Sequence, residues 1–191
     1  GNLFLLALSV WFYAANDLRG TIVLLLSALI NWSIGRKLTQ TPRKPLLILG
    51  LLLNLGTLGV LKYTNFVLET FSSLTGTELG AVSFLLPLGI SFFTFQQVAY
   101  LIDAYQGKAT NYALDEYALF VSFFPYVMSG PIAFHSEIIP QLRDPERRKL
   151  NWENLARGLT LISYGMAKKV LLADTLGSAV NVAWNDVYGL T

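Results

Sequence analysis

The sequence predicts an all-α fold, a polytopic membrane helix assembly of about five or six membrane-embedded helices, and three observations carry that prediction. Of the 191 residues, 53% are hydrophobic and 14% charged, where soluble domains carry about a quarter charged residues; the mean hydropathy of +0.49 points the same way. Uncharged runs recur at lengths near the roughly 17 to 25 residues that a membrane helix needs. The remaining charges are gathered into a few places along the chain.

The runs come in order at 3–16, 20–35, 46–61, 84–102, 117–134 and 155–182. The third is interrupted only by Asn54 and small residues, and the sixth carries charges inside it. The first differs from a signal peptide, since no basic region precedes it and no small-residue cleavage site follows. An opening Gly1 in place of Met points to a longer natural chain. No internal repeat or low-complexity tract divides the sequence, so 1–191 reads as a single membrane domain.

Charge placement predicts the topology. Arg36, Lys37, Arg43 and Lys44 follow the second run, and Arg143, Arg147, Arg148 and Lys149 precede the last. The positive-inside rule puts both groups on the cytoplasmic side. Three apolar runs lie between them, yet two loops on one side require an even number of crossings. The run at 117–134 is the one expected not to cross, because Pro125 and Gly130-Pro131 break the helical ladder and the freed carbonyls need partners other than lipid. A broken or re-entrant helix is expected there. Pro87 and Gly89 weaken the start of the preceding run.

A 16-residue run reaches only about 24 Å of a hydrocarbon core roughly 30 Å thick, so a locally thinned bilayer is expected. The loop at 72–80, with Glu69 and Glu78 but no base nearby, fits the outer side. Trp11, Trp32, Trp152 and Trp184 lie near segment ends, as aromatic-belt anchors do. Asp144-Pro145 has the form of an N-cap with proline at N1, Asn151 can cap a helix beginning at Trp152, and a short interfacial helix is expected in that loop.

The chemistry-bearing residues are few. Cysteine is absent and there is one histidine, so thiolate chemistry and a protein-built metal site are not expected. The net charge of +2 does not suggest nucleic acid. His135 follows the Gly130-Pro131 break, with Glu137 two residues on. It is a candidate acid or base, but no Ser, Cys or carboxylate stands at a spacing that suggests a triad, and the plainer reading is an interfacial histidine at the mouth of the broken helix.

Lys168 and Lys169 interrupt an apolar segment. They either snorkel from its end or face a cavity and hold an anion such as the phosphates of an acyl donor. Adjacent helical residues point about 100° apart, so the two lysines cannot share one partner equally. Ser91, Thr94 and Gln97, spaced by threes with Asp103 beyond, form a polar stripe. Such a stripe either hydrogen-bonds between helices or lines a path for a polar substrate.

Three stretches carry a resemblance. The first is Leu86-Pro87-Leu88-Gly89-Ile90-Ser91-Phe92-Phe93-Thr94-Phe95-Gln96, continuing to Tyr100-Leu101-Ile102-Asp103-Ala104-Tyr105. The second is Phe123-Phe124-Pro125 with Ser129-Gly130-Pro131-Ile132 and Pro140-Gln141-Leu142, and the third runs from Gly165 through Lys168-Lys169-Val170 to Ala173-Asp174. In order and spacing they resemble the membrane-bound O-acyltransferase (MBOAT) family, in its bacterial alginate O-acetylase branch. The opening Asn2-Leu3-Phe4-Leu5-Leu6 with Ser9, Phe12 and Tyr13 extends the likeness over nearly the whole chain.

The resemblance implies a many-helix fold around a funnel in the bacterial inner membrane. It implies transfer of an acetyl group from a cytoplasmic donor, acetyl-coenzyme A or another acyl donor, toward an extracytoplasmic polysaccharide. A periplasmic acetyltransferase would be the partner that completes the transfer. The family's catalytic histidine, beside a Trp-His motif in a later helix, is expected beyond Thr191, so the chain is expected to be truncated at both ends relative to the family and inactive alone. A transporter or channel subunit is the alternative, since broken helices with intramembrane polar groups also build transport sites. A non-catalytic assembly module is a third.

Overall fold

The protein was analysed as a computed structural model that describes residues 1–76, 80, 82, 86–127, 132–145 and 149–185. All regular structure among them is helical, as expected. They form two units, Gly1–Arg143 and Asp144–Thr191.

In the first unit, α1 (Asn2–Asn16) turns sharply into α2 (Leu18–Gln40) at Asp17, whose carboxylate caps the new helix by accepting from Gly20 N at 2.8 Å. A short turn leads to α3 (Lys44–Leu58), with Pro45 in its first turn, where a missing N–H costs nothing. The rod continues through a π-helical turn at Gly59–Tyr63 into α4 (Thr64–Thr75), which ends on Gly76 at φ 70. That left-handed cap suits glycine alone at low cost. The helix therefore reaches into the segment expected as an outer loop at 72–80, of which 77–79 lie outside the described residues.

Helix α5 (Ile90–Tyr105) starts after Gly89 at φ 66, so the helix expected from 84 begins six residues later. Residues 83–85 lie outside the described set. Next come α6 (Leu114–Ser122), α7 (Phe124–Val127) and α8 (His135–Arg143). The expected break in 117–134 is present: α6 stops at Ser122 and the chain bends at Phe123 before Pro125, whose ring nitrogen cannot donate to the turn before it. Gly130-Pro131 lie outside the described residues.

Two helical runs are long and apolar enough to cross a membrane, Leu18–Gln40 and Lys44–Thr75. With 23 and 32 residues they span about 35 and 48 Å at 1.5 Å per residue. Neither of these two needs a thinned bilayer, whereas α1 and α5, with 15 and 16 residues, are as short as the uncharged runs suggested. Backbone hydrogen bonding carries the helix past the point where Arg36, Lys37 and Lys44 begin, and long basic side chains reach the interface from there. Ile22, Leu26, Leu29 and Ile30 on α2, and Leu49, Leu52 and Leu53 on α3, face outward. Such contiguous apolar surface suits lipid and not water.

Helix α5 is the buried member of the unit. It packs against α2 and α3, burying Phe93, Tyr100 and Leu101. Close approach needs glycines: a side chain at Gly35 of α2 would strike the Tyr100 ring, and one at Gly50 of α3 would come within 2.6 Å of Leu101. The buried pair Asn31 and Asn54 exchanges amide hydrogen bonds of 3.2 and 2.6 Å between α2 and α3.

The second unit contains α9 (Trp152–Ala167), a π-helical stretch at Lys168–Ala173 and α10 (Asp174–Asn185). Asn151 caps α9 as expected, its side chain accepting from Asn154 N at 3.0 Å. Pro145 is not helical, and 146–148, within the expected interfacial helix, lie outside the described residues.

Candidate functional site

His135 is buried against protein, 1% exposed, at the start of α8. Both ring nitrogens have partners: Nε2 lies 3.0 Å from Asp103 Oδ2 and Nδ1 lies 2.8 Å from the Tyr112 hydroxyl. A carboxylate only accepts, so Nε2 carries the proton and donates to Asp103, while Tyr112 donates to Nδ1. Tyr100 and Phe120 meet the ring edge-on. Burial holds the His135 pKa below its ordinary value against the upward pull of Asp103, which favours the neutral ring. Burial likewise raises the pKa of the Tyr112 hydroxyl. The carboxylate partner absent at short spacing in the sequence is thus Asp103, 32 residues upstream.

A second set of contacts closes the same end of the bundle. Arg143, the last residue of α8, grips Glu116 in the first turn of α6 through Nε and Nη2, both at 2.7 Å. Its guanidinium also donates to the Asn111 carbonyl at 3.3 Å and stacks over Tyr112. The Arg143 hydrogen bonds lower the pKa of Glu116, and those to Glu116 raise that of Arg143. Thr39 of α2 donates to Asn111 Oδ1 at 3.0 Å, and Trp32 Nε1 to the Tyr112 carbonyl at 2.9 Å.

The chain therefore leaves this end at Leu114 and is back by His135. The end it returns to is the one where α2 carries Arg36 and Lys37. Arg143 and the end of α2 that carries Arg36 and Lys37 thus meet at one end of this unit, through Asn111. Arg147 and Arg148 lie outside the described residues.

The stripe on α5 divides between two partners. Ser91 Oγ accepts from Lys62 Nζ at 3.1 Å, whereas Gln97 Oε1 accepts from Ser27 of α2 at 3.2 Å. Thr94 and Gln97 are buried, and Gln97 Nε2 has no partner among the described residues. Interhelical bonding accounts for Ser91 and Gln97. Lys62 escaped the sequence reading although it is a lone base between Lys44 and Glu69; its place in a π-helical turn marks a region where such bulges often accompany function.

In the second unit, Lys169 Nζ pairs with Asp174 Oδ2 at 2.7 Å, and Lys168 has no partner among the described residues. The lysines do not share one partner, as their angular separation requires.

The comparisons agree on one kind of protein. The chain is 37% identical over 203 aligned positions to a peptidoglycan O-acetyltransferase of Helicobacter pylori, covering 91% of this chain and 38% of that protein. It is 32% identical to "Probable alginate O-acetylase AlgI" of Pseudomonas aeruginosa, over 93% of this chain and 35% of the relative. It is 30% identical to a teichoic acid D-alanyltransferase of Streptococcus thermophilus over 52% of this chain and 24% of the relative. The chain thus spans little more than a third of the first two relatives. No family model and no solved structure matches it. Identity of this extent, along nearly the full chain and to two O-acetylating enzymes, carries the conclusion that over the stretch it shares with them the chain belongs to the membrane-bound O-acyltransferase family.

Proposed function

We propose that the chain forms part of an inner-membrane O-acyltransferase that passes an acetyl group from a cytoplasmic donor toward a polysaccharide outside, peptidoglycan or an alginate-like exopolysaccharide, with a periplasmic acetyltransferase as partner. The observation that carries this is the identity to enzymes named for O-acetylation of those two glycans. Acetyl-coenzyme A is the donor this reading favours.

In it, His135 is a positioning residue. Its nitrogens are both engaged and its ring is buried, so it fastens the returning segment to α5 and accepts no proton from substrate. The catalytic base lies outside 1–191. Of the two lysines, Lys168 is the one free to meet a donor phosphate, because Lys169 is held by Asp174.

The test is acetylation of exported glycan in cells making the complete protein, normalised to folded protein in the membrane. His135→Ala should lower acetylation only as far as it lowers folded protein. Full folding with abolished acetylation would make His135 catalytic and overturn the assignment. No acetylation by the wild type would return the transporter reading to first place.

A further inference from the structure

A cavity of about 510 Å³ opens between α1, α2 and α6, walled by Leu6, Leu25, Leu29 and Leu114 and floored by Ala28 and Ala118. That size falls within the roughly 300 to 1,000 Å³ of small-molecule sites. Its lining is apolar except for one charge, Asp115, in the first turn of α6 at the basic end of the bundle. The Asp115 carboxylate has no ion-pair partner among the described residues, although Glu116 beside it is bound twice by Arg143.

The α2 wall continues toward the same end. Leu25, Leu29, Trp32 and Arg36 are spaced by four, three and four, which keeps them on one helical face. Arg36 stacks on the Trp32 ring at 5.4 Å and has no anionic partner among the described residues. It stands about 10 Å along the axis from Leu29. An apolar groove thus leads to Trp32, with Asp115 and Arg36 as charges that have no ion-pair partner among the described residues.

We infer that this groove binds a phospholipid with a primary-ammonium headgroup, phosphatidylethanolamine, one acyl chain lying among Leu6, Leu25 and Leu29, its phosphate on Arg36 and its ammonium on Asp115. Charge complementarity selects this occupant. A purely anionic lipid would use Arg36 but meet Asp115 as a like charge, and a quaternary ammonium has no N–H to donate to the carboxylate. An apolar protein helix would cover the leucines and leave both charges to be buried unpaired, which is costly.

The experiment is native mass spectrometry of the purified protein released from nanodiscs of equal phosphatidylethanolamine, phosphatidylglycerol and phosphatidylcholine. Wild type should retain phosphatidylethanolamine over both others. Asp115→Asn should lower that preference roughly tenfold, the loss of about one charge-assisted hydrogen bond. Arg36→Gln should lower retention of every phospholipid, and Ala118→Phe should empty the groove. Unfolding midpoints screen each variant. If a variant fails to fold, the wild-type competition alone decides. Equal retention of the three lipids, preference for phosphatidylglycerol, no retained lipid, or an unchanged preference in folded Asp115→Asn would each overturn the assignment.

Discussion

Removing the His135 side chain tests the proposed role of the cluster most directly. His135→Ala deletes a ring that is 1% exposed and packed by Tyr100 and Phe120. A cavity of that kind costs about 2 to 5 kcal/mol, depending on how far the neighbours relax. The Tyr112 hydroxyl loses its acceptor in a buried place, worth about 1 to 3 kcal/mol. Asp103 is 27% exposed and recovers water, so it adds little. A loss of about 3 to 8 kcal/mol is expected, against a total stability of about 5 to 15 kcal/mol for a typical domain.

Tyr112→Phe alone should cost about 1 to 3 kcal/mol, since it strands Nδ1. The double variant should cost less than the sum, with a coupling of about 1 to 2 kcal/mol. Thermal unfolding in detergent, followed by tryptophan fluorescence, measures all three. A His135→Ala midpoint equal to wild type, or a coupling indistinguishable from zero, would refute the role assigned to the cluster.

Further outcomes follow from the same contacts. Burial lowers the pKa of His135, so below the ordinary histidine value of about 6.5 the unfolded chain binds the proton more readily and stability falls. The midpoint should therefore drop between about pH 6.5 and 5 and do so less in His135→Gln; a rise on acidification would contradict this. Gly35→Ala drives a methyl into the Tyr100 ring and should cost about 1 to 3 kcal/mol, while Gly56→Ala meets open space and should be neutral or slightly stabilising; the two midpoints decide. Asn54→Leu breaks the reciprocal bond with Asn31 and should destabilise by about 1 to 2 kcal/mol, read the same way. In the complete enzyme Lys168→Ala should raise the apparent KM for the acyl donor without loss of folded protein, and Lys169→Ala should change it less; equal loss of folded protein in both would favour snorkelling.

Composition and run length were enough to determine that the chain is helical and apolar. Local chemistry placed several ends: Asn151 caps a helix because its short side chain reaches back to Asn154 N, and Pro125 breaks one because it has no N–H. These signals are legible because they act within one helical turn or through solvation of single residues.

Tertiary structure alone decided what His135 touches. Asp103, Tyr112 and His135 are 32 and 23 residues apart for the two contacts, and only the return of the chain after α6 brings them together. Read locally, a lone histidine after a break belongs at the interface; with a donor and an acceptor supplied from other segments, burying it costs little. The same holds for Lys62 with Ser91 and for Asp115 left unpaired beside a bound Glu116. Sequence fixes which groups are present and how each helix presents them, whereas pairing across segments depends on packing geometry that no periodicity encodes.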